Sequence, residues 1–71
     1  MVNVGEHNYT TNIAEFYADD PDDLKILPTL TNSGKGNLST INSVGIGSSC
    51  FVISTSEVYM LQGSTNTWVK I

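Results

Sequence analysis

Two side chains of the 71-residue sequence could support covalent catalysis: the thiol of Cys50 and the imidazole of His7. A thiol nucleophile needs its base within hydrogen-bonding reach. His7 lies in a poorly patterned segment near the start of the chain, Cys50 lies in an apolar run, and no pattern brings them together. Since buried structural thiols are far commoner than catalytic ones, we expect no enzymatic activity and no catalytic residue.

Metal and phosphate sites also have only weak candidates. Four aspartates stand within the five positions 19–23, but the alternating oxygen ligands, turn glycine and distant glutamate of a helix-loop-helix calcium site are absent. One histidine and one cysteine fall short of a four-ligand zinc site. The stretch "SGKGNLST" has its glycine, lysine and hydroxyl residues in the wrong order for a phosphate loop. We therefore expect no metal and no cofactor, and solvated charges in segment 19–23.

The charge and length of the chain limit its partners. Seven acidic and three basic residues give a net charge of -4, which removes counterion release as a driving force for binding nucleic acid. No run approaches the ~20 apolar residues of a membrane span, and "MVNVGEHNYTT" does not resemble a signal peptide. We therefore expect neither a nucleic-acid nor a membrane partner, and synthesis in a cytoplasm.

Small size makes docking or oligomerisation attractive. A domain of this length buries only about 60% of its unfolded surface, and small domains usually gain stability from disulfides, metals or association. Cys50 is the single cysteine, so an internal disulfide is impossible. Association is the remaining source of stability.

The pattern predicts an all-β protein: a small antiparallel sheet or partial barrel with a C-terminal three-strand meander and one short helix. Residues 1–12 are expected to form an N-terminal arm or an edge segment, and residues 13–71 a single small β domain that opens with the strand "IAEFYA". The short helix is predicted near Asp20 to Leu27, because Asp20 can cap it and a proline follows. A weak strand is expected near Leu38 to Val44.

The meander is read from "CFVIST", "VYMLQ" and "WVKI", which short turns separate. Placing Thr55 opposite Val58, and Gly63 opposite Trp68, assigns every side chain to a face, because opposed residues share one. One face then holds Phe51, Ile53, Val58, Met60, Val69 and Ile71. The other holds Cys50, Val52, Tyr59, Leu61, Trp68 and Lys70.

The first of these faces is almost wholly apolar, and we expect it to be the core. The second is mixed, since its aromatic side chains carry polar tips and its lysine has a long apolar stem. We expect a candidate protein interface on this mixed face. Its residues are Tyr59, Leu61, Trp68 and Lys70. The alternative is that the segment 13–30 folds over them and makes a second core layer.

A family resemblance covers about residues 16–71. "DLKILPT", a Gly/Ser-rich stretch and "GSSCFVISTSEVYMLQGSTNTWVKI" resemble a module of bacteriophage virion proteins, in which a Leu-Pro segment precedes a hairpin and a Trp-Val ending. That module occurs in small capsid-associated proteins and in tail fibres.

The resemblance implies a phage virion structural protein that binds the capsid surface as a decoration or head-attached component. Its partner would be a capsid or other virion protein, it would be an oligomer or present in many copies, and its location would be the virion, after assembly in the host cytoplasm. A complete fibre is less expected, since the sequence ends directly after "WVKI". A tail, fibre-attachment or baseplate component is the first alternative, and a small phage-encoded inhibitor that binds a protein is the second.

Overall fold

Five strands form one sheet in the computed structural model, which describes all 71 residues. They are β1 (Val2–Asn8), β2 (Ile13–Ala18), β3 (Ser49–Val52), β4 (Glu57–Gln62) and β5 (Thr67–Lys70). Their order across the sheet is the order along the chain, so β1 and β5 are the two edges. The mostly β fold, the C-terminal meander and the short helix are confirmed.

The sheet is open and mixed rather than antiparallel throughout. β2 and β3 run parallel, and the other three pairs are antiparallel. A parallel pair needs a long crossover connection, and residues 19–48 supply it. The sequence predicted an antiparallel sheet because the three C-terminal strands are joined by short turns, whereas β2 and β3 have no such local signal between them.

The segment 1–12, expected as an arm or an edge segment, contributes the edge strand β1. Val2 at its start is fully buried. A bulge interrupts the pairing of β1 with β2 between Val4 and Glu6, and bulges discourage further strand addition at an edge. The sheet therefore takes its strands from both ends of the chain, residues 2–18 and 49–70.

The crossover contains two 3-10 helices, Pro21–Ile26 and Gly36–Leu38. The first is the predicted short helix, with Asp20 as its N-cap residue and its backbone N–H donating to the Asp23 carboxylate at 3.3 Å. The prediction of a strand near Leu38 to Val44 is wrong, because no strand lies between β2 and β3 in the chain. Isolated backbone bonds hold that stretch instead, including one from the Val44 N–H to the Thr29 carbonyl at 3.0 Å.

The core lies between the crossover and one face of the sheet, which we call the covered face. Its buried sheet residues are Val2, Ala14, Phe16, Ala18, Cys50, Val52 and Leu61. From the crossover, Leu27, Leu38 and Val44 are buried against them, and Leu24, Ile26, Leu30 and Ile41 pack around the border. The small side chains of Ala14 and Ala18 leave room for these larger crossover residues.

Buried Ser48 ties the crossover to β2 at the point where β3 begins. Its hydroxyl accepts a hydrogen bond from the Ala14 N–H at 3.0 Å and donates one to the Gly45 carbonyl at 2.8 Å. Both hydrogen-bonding roles of the hydroxyl are therefore used, and no buried side-chain nitrogen or oxygen lacks a partner. The core on the covered face therefore contains no buried side-chain polar atom without a hydrogen-bond partner.

Candidate functional site: the exposed apolar face of the sheet

The division of the meander into two faces is confirmed, although the predicted pairing is wrong. Val58 lies opposite Phe51, and Trp68 lies opposite Leu61. The turns span more residues than predicted. The partner of Val58 therefore lies four positions before the predicted Thr55, and the partner of Trp68 lies two positions before the predicted Gly63. Both shifts are even, and even shifts leave every side chain on its face.

The prediction of which face forms the core is wrong. The face predicted to be core is exposed: Ile53 is 56% exposed, Met60 37% and Ile71 74%. The physical reason is the crossover, which packs on the opposite side and leaves this side without a second layer. We call it the outer apolar face. Its residues are Tyr17, Phe51, Ile53, Val58, Met60, Val69 and Ile71.

A continuous row of apolar side chains crosses four strands on this face. Tyr17 lies beside Phe51, and Phe51 beside Val58. The Ile71 N–H donates to the Val58 carbonyl at 2.9 Å, which places Ile71 at the far end of the row. Met60 and Val69, which are paired with each other, extend the surface in the neighbouring row.

Tyr17 closes the row on the β1 side. A Cβ atom added to Gly5 would collide with Cε2 of the Tyr17 ring, so the ring lies directly over this glycine. Any larger residue at position 5 would push the ring away. The outer apolar face is therefore shaped by β1 as well as by the C-terminal meander.

One acidic pair lies on the same side of the sheet as the outer apolar face, next to its apolar side chains, whereas Glu57 and Lys70 lie on the covered side. Glu6 and Glu15 are paired in the middle of the β1–β2 ladder, on the same side of the sheet as Tyr17. Glu15 is in register with Ser49 and, one strand further, with Met60. Lys70 lies on the covered side, where its Nζ is 2.7 Å from a carboxylate oxygen of Glu57. Their hydrogen bond lowers the pKa of Glu57 and raises the pKa of Lys70. The apolar side chains of the outer face therefore have an acidic pair beside them and no charge among them.

The structure places the four predicted interface residues on the covered face. Leu61 is 2% exposed, and Tyr59 and Trp68 are half-buried against the core. The Trp68 indole N–H donates to the Pro28 carbonyl at 3.0 Å, and only Lys70 of the four is exposed. This arrangement is the alternative one, in which the segment 13–30 covers these side chains. The outer apolar face has no such cover.

The acidic segment lies mainly in solvent, as expected. Asp19, Asp20 and Asp22 are exposed, while the Asp23 carboxylate binds the Met1 ammonium at 2.7 Å. That hydrogen bond lowers the pKa of Asp23. No group of three or more His, Cys, Asp or Glu side chains is arranged to hold a metal ion.

His7 and Cys50 are separated by β2, which lies between their strands. The His7 Nε2 donates to the Asn12 side-chain carbonyl at 2.8 Å, beside an open groove of about 400 Å³ that Tyr9, Ile41 and Ser43 help to line. Cys50 is fully buried. The structure therefore brings no base to the thiol.

Burial raises the pKa of the Cys50 thiol to about 11. Because the thiolate is the reactive form, we expect alkylation near pH 8 to be roughly 100-fold slower in the folded protein than in denaturant, from a two-unit pKa difference alone. The raised pKa also means that the thiol stabilises the fold below its ordinary pKa, and that this contribution is lost as the pH rises towards about 11. Iodoacetamide labelling followed by mass spectrometry measures the rates; equal rates in both states would show that Cys50 is accessible.

No protein-family model, curated protein or solved structure matches the chain. No helix of the chain has both the length and the apolar character required to cross a membrane.

Proposed function

We propose that this protein is a non-catalytic structural component that assembles with other protein subunits through its outer apolar face. The observation that carries the proposal is a contiguous surface of seven large apolar side chains on one side of the sheet, six of them exposed and none of them charged. Contiguous apolar surfaces of this kind are typical of protein interaction sites. The crossover packs on the covered face, so the outer face is the one that lacks a second layer.

The setting of this assembly is a bacteriophage particle, as the sequence resemblance indicates. The protein binds the capsid surface as a decoration or head-attached component, and it is present in many copies. A small domain with a finished core on one side and an apolar surface on the other suits such a role, because docking adds the stability that its own core cannot supply.

Incorporation into particles tests the proposal. The variant is Met60→Glu, which places a charge in the centre of the outer apolar face, and the matched control is Gln62→Glu on the same strand and face, outside the apolar surface. We expect Met60→Glu to lower incorporation at least about tenfold, equivalent to 1.4 kcal/mol of docking free energy, while the control is incorporated normally. Both variants should melt close to the original protein, since neither side chain is buried.

Quantitative mass spectrometry of purified virions measures the copy number of each form. Absence of the original protein from the particles would contradict the virion role and favour a soluble inhibitor. Normal incorporation of a folded Met60→Glu variant would contradict the assignment of the outer apolar face as the docking surface.

A further inference from the structure

We infer that the first occupant of the outer apolar face is a second copy of this chain, packed sheet against sheet around a two-fold axis. The inference rests on the proposed function, which identifies this face as the assembly surface, and it specifies the partner. A two-fold contact brings the same surface of both subunits together. The outer face must therefore complement itself.

The size of the surface fits a dimer. Six of the seven side chains are between 37% and 74% exposed, and with roughly 200 Å² as the full surface of a large apolar side chain they present about 600 Å². The largest apolar patches on monomers are about 300–600 Å², and a stable interface buries about 800 Å² on each partner. The apolar surface supplies about three quarters of that area, and the polar residues around it would supply the rest.

The shape of the surface also fits. Two sheets packed face to face lie about 10 Å apart with their strands roughly 30° from parallel, and side chains from the two inner faces interdigitate. The row from Tyr17 to Ile71 and the neighbouring pair Met60 and Val69 supply such side chains on four adjacent strands. In the dimer, each sheet would have the crossover on one side and the other sheet on the second side.

The charge distribution is compatible with a second copy when the contact is centred on the apolar side chains. The acidic pair Glu6 and Glu15 lies on the same side of the sheet, at its β1–β2 end, and the seven apolar side chains carry no charge. A two-fold contact centred on the apolar side chains can place the acidic pair of each copy at the β5 end of the other, so that no like-charge pair is buried. The two copies still repel at long range, because each carries a net charge of -4.

This repulsion predicts a characteristic salt dependence. Salt screens repulsion between separated charges, so the dimer should become tighter as the salt concentration rises. Contact with a basic partner would become weaker under the same change. Salt dependence therefore distinguishes the two kinds of occupant.

Analytical ultracentrifugation of the purified full-length chain tests the inference, from micromolar to millimolar concentration and at low and high salt. We expect a monomer–dimer equilibrium that shifts towards dimer with salt. Met60→Glu and, as an independent variant, Val69→Glu should weaken the dimer at least tenfold, and Gln62→Glu should change it less than threefold. Circular dichroism and thermal melting of each variant identify any that has failed to fold.

A protein that stays monomeric up to millimolar concentration at high salt would overturn the inference. So would a dimer that both folded glutamate variants leave intact, because its contact would then lie on another surface. Either result leaves the proposed function open to its own test, since loss of Met60→Glu from particles would still show docking of the outer face on a different virion protein.

Discussion

Phe16→Ala is expected to leave the protein largely unfolded at room temperature. Phe16 is 1% exposed in the middle of the covered face, and its ring makes an edge-to-face contact with the Trp68 ring at a centroid distance of 6.0 Å. Truncating a buried phenylalanine costs about 3–5 kcal/mol, which is comparable with the whole stability of about 5 kcal/mol expected for a domain this small. Urea denaturation followed by circular dichroism measures the loss.

The matched control is Phe51→Ala, the same substitution on the neighbouring strand but on the outer apolar face. Phe51 is only half-buried and has no layer above it, so the free energy of unfolding of the dilute protein should fall by about 1 kcal/mol, in the usual range for a single mutation. If Phe51→Ala costs as much as Phe16→Ala under conditions where the protein is monomeric, the outer apolar face is covered within the chain. That result would contradict the assignment of the two faces.

Trp68→Ala is expected to have the second-largest effect, a loss of about 3–5 kcal/mol in the free energy of unfolding. The change removes the edge contact with Phe16 and the hydrogen bond to the buried Pro28 carbonyl. A buried carbonyl left without a donor adds its own cost. The loss would detach the crossover from the C-terminal meander.

Trp68→Phe separates the two contributions, because it keeps an aromatic ring near Phe16 but has no N–H for the Pro28 carbonyl. We expect it to cost about 1–3 kcal/mol, the range for an unsatisfied buried acceptor. Thermal melting of both variants provides the comparison. Near-normal melting of Trp68→Ala would show that residues 28–30 do not cover Trp68 in solution, and would restore Trp68 as an interface residue.

Local patterns predicted the elements and the faces but not the side on which the core lies. Period-two alternation after Ser49 was sufficient for three strands and for the correct grouping of their side chains, because an even error in register leaves the faces unchanged. Asp20 and Pro21 were sufficient for the short helix. These features depend on near neighbours in the chain.

The core side depends on distant contacts. The sequence predicts that the more apolar face of the meander is the core, whereas the crossover of residues 19–48 covers the other face. β2 carries one sign of the correct core side, because its polar Glu15 alternates with Ala14 and Phe16. That sign assigns the faces of the meander only if β2 is known to pair in parallel with β3, with Tyr17 beside Phe51. No local pattern indicates that pairing.

The prediction of the interface residues depends on the prediction of the core side, so the error in the core side also affects them. The sequence indicates Tyr59 and Trp68 as interface residues because aromatic side chains with polar tips are frequent at interfaces. In this domain the same polar tips make internal contacts. The Trp68 N–H satisfies the Pro28 carbonyl, and the Tyr59 hydroxyl is 3.5 Å from a Glu57 carboxylate oxygen. A polar tip within an apolar surface is therefore equally typical of a core border.

Hydroxyl-radical footprinting in the free and assembled states tests most directly the claim that the outer apolar face is open in the monomer and closed by assembly. Tyr17 and Met60 report on this face, and Tyr9, which is 85% exposed and lies away from it, is the internal control. We expect all three to be oxidised in dilute protein, and only Tyr17 and Met60 to be protected in the dimer or the particle. Protection of Tyr17 and Met60 already in dilute monomer, or their unchanged oxidation after assembly, would contradict the account.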